Sequence, residues 1–472
     1  MDSLNVVIMA AGKGKRMGLE TPKVLASTYS GPLLHLVLET ALSLKPERII
    51  VVVGEDGELI EESLGSCQKF SRLIDQEEIV FATQPEANGT AGAVKAALPF
   101  ISSFIRTTLV LSGDVALIRS STVEKMIACH ARSRSVVTFL SAFASFPNQY
   151  GRVMRNSDGD VSKIIEFADC SYSELLINEV NAGVWLVETN FLKTAINLID
   201  SDNVQQELYL TDIVEIALRE GKNVQALPFS GSEEIRGANI PEELLAISST
   251  LRKRKVEEFN RKGVIFLDPD TVYLDSQISI GRGTTIGPNV SIFGKSTVGK
   301  NVVIEGSAYL KDVEIDDGAH LLFGVHAGSA KIGSNAKVGP FCHLRCGAVL
   351  GKDVKVGNFV EVKNTTLEEG AKASYLPYLG DAKVGKNANI GAGTITCNYD
   401  GYKKSKTTIG DKAFIGSNTS LVAPVTVGSG AIIGAGSVVT KDVSSDSLAL
   451  TRAEQKEIEG WAAKKRKREK NN

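Results

Sequence analysis

The chain has 472 residues, 43% hydrophobic and 23% charged, which excludes disorder over most of its length. Its 53 Lys and Arg nearly balance 55 Asp and Glu, giving a net charge of −2 and arguing against a dedicated nucleic-acid binder. Glycine departs from the ordinary: 44 residues beside only 13 prolines, about 9% against the usual ~7%, imply a regular backbone need. No apolar run approaches the ~18 residues of a membrane span. Val6–Ala11 is too short for a signal peptide and runs straight into a glycine loop, so a cytoplasmic protein is expected. The six cysteines, Cys67, Cys129, Cys170, Cys342, Cys346 and Cys397, are irregularly spaced. Only Cys342 and Cys346 are close, no zinc tetrad is formed, and free thiols are expected.

From residue 1 to about 240, apolar runs of strand length alternate with helical segments. Val6–Met9, Ile49–Val53, Thr108–Leu111, Val136–Leu140 and Ala182–Val187 are predicted strands, and Pro32–Leu44 and Gly89–Leu98 predicted helices. This alternation predicts an α/β domain with a largely parallel sheet covered on both faces. The first strand leads into Ala10-Ala11-Gly12-Lys13-Gly14-Lys15-Arg16-Met17-Gly18. Gly12 and Gly14 let main-chain N–H groups turn toward an anion, and Lys15, Arg16 and Lys23 add charge suited to a triphosphate. The spacing is not that of a Walker A loop, and Met17 stands where a dinucleotide fingerprint needs its third glycine. Leu109–Leu111 runs into Ser112-Gly113-Asp114. A carboxylate at the end of a strand is placed either to hold a Mg²⁺ that bridges phosphates or to cap a helix. Asn239, in Gly237-Ala238-Asn239, is a further polar residue similarly placed.

Leu244–Gly263 reads as one connecting helix, with Leu244, Ile247 and Leu251 on one face and Gly263 as its C-cap. From about 264 aliphatic residues recur every six positions: Ile280, Ile286, Ile292, Val298, Ile304, Leu310; then Ile332, Val338, Leu344, Leu350, Val356, Val362; then Ile409, Ile415, Leu421, Val427, Ile433, Val439. That period predicts a parallel β-helix in which three hexapeptides make one triangular coil, and it accounts for the glycine excess. A homotrimer is the usual assembly of hexapeptide proteins. Asn398-Tyr399-Asp400-Gly401 interrupts the period and predicts a loop projecting from one corner. The boundaries are 1–240, 241–263, 264–455 and a basic tail 456–472, expected to be solvated and disordered.

Further motifs carry a resemblance: Pro22-Lys23-Val24-Leu25, Gln84, Gly89-Thr90-Ala91, Tyr150-Gly151-Arg152, Glu166 and Asn181-Ala182-Gly183. Together with the Gly12–Arg16 loop and Gly113-Asp114, they resemble the sugar nucleotidyltransferases. With the hexapeptide half, residues 5 to 455 resemble the bifunctional GlmU type, which joins N-acetylglucosamine-1-phosphate uridylyltransferase to glucosamine-1-phosphate acetyltransferase. The resemblance implies a Rossmann-like nucleotidyltransferase domain followed by a left-handed parallel β-helix, and a place in cell-wall precursor synthesis. It implies that Gly12, Gly14, Arg16 and Lys23 bind UTP phosphates, with Arg16 and Lys23 catalytic. Gln84, Gly89 and Thr90 would read uracil, Gly151, Glu166 and Asn181 would hold the sugar of N-acetylglucosamine-1-phosphate, and Asp114 and Asn239 would hold Mg²⁺.

In the second half the resemblance implies that Arg345, Lys363, Tyr378 and Asn389 hold glucosamine-1-phosphate. Ala392, Asn398, Tyr399, Ser417, Ala435 and Arg452 would line the site for acetyl-CoA, the co-substrate, with Asn398 and Tyr399 also beside the sugar phosphate. Two departures stand out. Ser112 replaces the tyrosine usual before Gly-Asp, removing a sugar-side contact. Tyr375 stands where the family has a histidine base, although its partner Glu361 is present. Tyrosine, with a reference pKa near 10, is a poor proton acceptor at neutral pH, so acetyl transfer is expected to be weakened or lost. A uridylyltransferase whose β-helix only trimerises or binds ligand is the alternative, and a non-catalytic regulator the remote one.

Overall fold

Strand β1 (Leu4–Met9) shows why the first half is layered. Val6 and Ile8 enter one core and Val7 the other, the two-faced burial of a central strand. The computed structural model describes residues 4–12, 14, 17, 18, 21–144, 148–229, 231 and 233–470. The chain divides into two compact units, Met1–Leu251 and Arg252–Asn472.

In chain order the first unit continues with β2 (Ser27–Thr28), β3 (Gly31–Pro32), β4 (Arg48–Val53), β5 (Ile79–Thr83), β6 (Thr107–Ser112), β7 (Val137–Phe143), β8 (Arg152–Arg155), β9 (Val161–Ile165), β10 (Glu179–Glu188) and β11 (Val224–Phe229). The main sheet has the order β11-β7-β10-β6-β1-β4-β5, with β8 and β9 branching from β10. Its pairs are parallel except those of β8, β9 and β10. The five predicted strands are all present; β5, β8, β9 and β11 were not predicted. Helices Leu33–Ser43 and Ser120–Ser133 supply one core, and Thr90–Ala97, Thr189–Ala195 and Ile213–Arg219 the other. β1 lies between β4 and β6, so its carboxyl end is a topological switch point, where open α/β sheets bind ligands. Gly12 follows β1 and Asp114 follows β6.

Helix Pro241–Arg261 begins three residues earlier than predicted. Leu244, Ile247 and Leu251 pack on the first unit's core, and Phe259 belongs to the second. Gly263 follows at φ +88°, the left-handed conformation of a helix-ending glycine.

The second unit is a left-handed parallel β-helix of three sheets with 11, 10 and 9 short strands. The three aliphatic runs are buried to within 7% exposure and line one interior. Most coils repeat after eighteen or seventeen residues: Ser291 pairs with Tyr309, Val349 with Thr366. These one-residue deletions reset the six-residue phase between runs. At the predicted loop the register jumps, Lys383 pairing with Thr408, and Tyr399 bridges Lys404 across the projection. Buried hydroxyls at the corners donate to main-chain oxygens, as from Thr394 to Gly391, Thr419 to Gly416 and Ser437 to Gly434, which satisfies those interior polar atoms. The tail differs from expectation: Trp461–Lys470 is an exposed helix, its Lys465 ammonium lying over the Trp461 ring.

Candidate active sites

The first site is built on the Lys23 ammonium. Lys23 Nζ donates to Asp114 Oδ2 at 2.6 Å and to Asn239 Oδ1 at 3.2 Å. The expected metal oxygens therefore face one cationic centre. The Ser112 hydroxyl donates to Asp114 Oδ1 at 2.6 Å. The serine that replaces the expected tyrosine thus fixes the carboxylate. Gly14, at φ +57°, is required twice over: besides the left-handed conformation, a Cβ there would lie 2.5 Å from Lys23 Cβ. Arg16 lies outside the described residues.

Two clefts meet at this centre. One, of about 260 Å³, is lined by Gly12, Lys23, Gln84, Gly89, Thr90 and Ser112 among others. Gln84 Nε2 donates to Asn88 Oδ1 and to the Gly89 carbonyl, locking the turn, and the Thr90 hydroxyl oxygen accepts from Leu210 N–H. The other, of about 850 Å³, is lined by Ser112, Asp114, Gly151, Glu166, Asn181 and Asn239 among others. Asn181 N–H donates to the Gly151 carbonyl at 2.8 Å, and Asn181 Oδ1 accepts from Gly183 N–H. Glu166 Oε1 accepts from the Thr211 hydroxyl at 3.1 Å. Burial pushes the Glu166 carboxyl above the usual range, against that hydrogen bond. The residues fit a hard divalent cation: two oxygen donors, no thiol or imidazole, and room for phosphate and water oxygens. Among the described residues no group of three or more His, Cys, Asp or Glu could hold a metal ion.

The second site follows from β-helix register. Arg345 Nη1 donates to Glu361 Oε1 at 2.7 Å. Tyr378 lies one rung beyond Glu361 in the same sheet, and its hydroxyl converges with the Asn398 amide over Gly380, where a Cβ would lie 2.6 Å from one and 2.7 Å from the other. Asp381 accepts from Asn364 and Asn398. The Lys363 ammonium is held below the usual lysine range chiefly by Lys404, then by Arg345, so three cations converge where an anion would relieve them. Lys404 was not predicted; its signal was a lysine just past the Asn398–Gly401 interruption. Asn389 lies in the neighbouring sheet, paired with Lys372 and Phe414.

The expected acetyl-CoA residues form a column at one corner. Ala392 accepts from Asn418 N–H, Ser417 from Gly436 N–H, and Ala435 from Arg452 Nη1 at 2.7 Å. Exposed Tyr375 occupies the same corner one coil below Ala392. Tyr399 is in the projecting loop, its hydroxyl donating to the Gly401 carbonyl. The next residue at this corner is left-handed in six successive coils. It is Phe341, Phe359 and Leu376 below, at φ +51°, +54° and +62°, and Gly393, Asn418 and Gly436 above.

The Nucleotidyl transferase family model matches residues 5–238, the GMPPB C-terminal domain model 269–369, and the six-repeat Bacterial transferase hexapeptide model 406–441. Over 466 residues the chain is 41% identical to the Bifunctional protein GlmU of Geotalea uraniireducens (strain Rf4), covering 99% of this chain and 100% of that one. The chain belongs to the GlmU family. The GlmU proteins of Pelobacter propionicus and Idiomarina loihiensis are 39% and 40% identical, covering 99% and 97% of this chain and 100% and 98% of theirs. As a GlmU-family chain it is a UDP-N-acetylglucosamine pyrophosphorylase joined to a hexapeptide acyltransferase half. No helix among the described residues is long and apolar enough to cross a membrane.

Proposed function

We propose that the first unit transfers a uridylyl group from UTP to N-acetylglucosamine-1-phosphate. The observation that carries this is the convergence of Lys23, Asp114 and Asn239 where the two clefts meet. The smaller cleft takes the nucleotide and the larger one the sugar phosphate. A phosphate oxygen of the sugar attacks the α-phosphorus, one P–O bond forms, another breaks, and pyrophosphate leaves. No covalent nucleophile is needed, because positioning and charge neutralisation lower the barrier. Asp114 and Asn239 would hold Mg²⁺, which when bound neutralises phosphate charge. Lys23, which donates to both oxygens in the structure, would then be free to pair with phosphate, and Arg16 would add a second positive charge. The test is pyrophosphate release with UTP against GTP. At least a tenfold preference for UTP, lost in Gln84→Ala, is expected; equal rates in the wild type would contradict uracil reading in the Gln84 cleft.

The second unit is proposed to acetylate glucosamine-1-phosphate with acetyl-CoA. Arg345, Lys363 and Lys404 supply charge for the phosphate. Ala392, Ser417 and Ala435, beside the Gly393, Asn418 and Gly436 column, leave a small-residue groove for the thioester. Tyr375, at the foot of that groove, replaces the expected histidine, so transfer is slow. The exposed ridge Phe323, Phe341, Phe359 and Leu376 favours assembly with further copies of the chain, as a homotrimer in the cytoplasm.

A further inference from the structure

Arg152 opens β8 and is fully buried, with 0% of its surface exposed. A guanidinium taken out of water normally pairs with a carboxylate. Among the described residues none pairs with Arg152, and its strand neighbour Arg155 takes Glu179 instead. All five of its N–H groups go to neutral oxygens. Nη1 donates to Asn148 Oδ1 at 2.9 Å and to the Tyr150 carbonyl. Nη2 donates to the Asn148 carbonyl, and both Nη2 and Nε donate to the Leu175 carbonyl, each at 3.4 Å. Leu175 ends the short helix Tyr172–Leu175, where carbonyls lack partners within the helix. Asn148, Tyr150 and Leu175 all line the cleft of about 850 Å³, so one guanidinium ties two separate segments of its wall together. On its main chain Arg152 pairs with Val180, and the Gly151 carbonyl accepts from Asn181 N–H. A Cβ on Gly151 would lie 3.2 Å from Glu166 Oε2. The tied wall and the residues expected to hold the sugar therefore meet at one strand end.

We infer that Arg152 is a positioning residue that sets the sugar cleft for its substrate, an inference that rests on the uridylyl-transfer reading above. With no exposed surface and no N–H left over, it does not touch substrate. It acts through Tyr150 and Leu175, holding the wall at the spacing where Gly151, Glu166 and Asn181 meet the sugar. The phosphate oxygen lines up on the α-phosphorus only when the sugar is seated, and a misplacement of about 1 Å costs on the order of 10²-fold. None of the three tied residues lines the smaller cleft, so nucleotide binding is independent of them. Lysine cannot replace Arg152, because its donors radiate from one point and do not span the planar fork.

The experiment measures pyrophosphate release by the full-length chain, varying UTP and N-acetylglucosamine-1-phosphate in turn, together with thermal unfolding. It compares wild type, Arg152→Lys, Asn148→Ala and the double variant. Arg152→Lys should lower kcat/KM for the sugar phosphate by about 10²-fold and leave KM for UTP unchanged. Asn148→Ala removes one acceptor from a half-buried position while the buried charge stays in place, so it answers the question even where Arg152→Lys does not fold. It should move the same constant in the same direction by a smaller factor, and the double variant should fall no further than Arg152→Lys alone, because both cut one tie. A folded Arg152→Lys with a lower Tm but wild-type constants for the sugar phosphate would overturn the assignment. So would an equal rise in KM for both substrates, or wild-type constants in Asn148→Ala. A wild type silent with N-acetylglucosamine-1-phosphate would instead overturn the uridylyl-transfer reading itself, and the part given to Arg152 with it.

Discussion

Asp114 has each carboxylate oxygen committed to a different partner: Oδ1 to the Ser112 hydroxyl and Oδ2 to Lys23. Ser112, read from sequence as the loss of a sugar contact, proves to be an orienting group, which only the geometry shows. Glu166 makes a separate prediction. Its carboxyl is raised by burial, so the folded chain binds its proton more tightly than the unfolded one. That contribution to stability is whole below the unfolded value of about 4.3 and is lost as pH rises through the higher folded value. Glu166→Gln should therefore raise Tm at pH 7 by more than at pH 4, while raising KM for N-acetylglucosamine-1-phosphate. Calorimetry at the two pH values checks this; an equal shift at both would show that Glu166 is not held against its ionised form.

Among the elements, what was legible had a strong period. The six-residue repeat specifies the β-helix because each aliphatic residue must point inward. Strands β1, β4, β6, β7 and β10 stood out as apolar runs. β8 and β9 did not, because Arg152–Arg155 and Val161–Ile165 mix apolar with charged or polar residues. The single-residue shortening of several coils was invisible in composition. Lys404 was hidden because the inserted loop returns it beside Lys363, far earlier in the chain. The corner holding Phe341, Phe359 and Leu376 makes a prediction at this scale. A bulky side chain at positive φ costs on the order of 1–2 kcal/mol; within one chain Phe359 regains a stacked contact with Phe341, ring centroids 5.6 Å apart, and otherwise stays exposed. Phe359→Asn fits that backbone better, and it should shift the assembly toward monomer in light scattering while preserving the far-UV circular dichroism of the β-helix. An unchanged trimer would show that the ridge is not a subunit contact, and a monomeric wild type would contradict the assembly outright.

At the scale of the whole molecule, each unit has its own interior and carries its own candidate site. The Lys23–Asp114 centre lies wholly in Met1–Leu251, and the Arg345–Glu361 pair and the Ala392–Ser417–Ala435 column lie wholly in Arg252–Asn472. The central claim is that one chain performs two chemically separate transfers at two independent sites, the first resting on Asp114. The most direct measurement reads both products from the same preparation of Asp114→Ala, as pyrophosphate from UTP and N-acetylglucosamine-1-phosphate and as CoA thiol from acetyl-CoA and glucosamine-1-phosphate. The expected result is pyrophosphate release reduced by at least 10³-fold, as when a preorganised electrostatic group is removed, with thiol release equal to the slow rate of the wild type. Near-wild-type pyrophosphate release from Asp114→Ala would contradict the account.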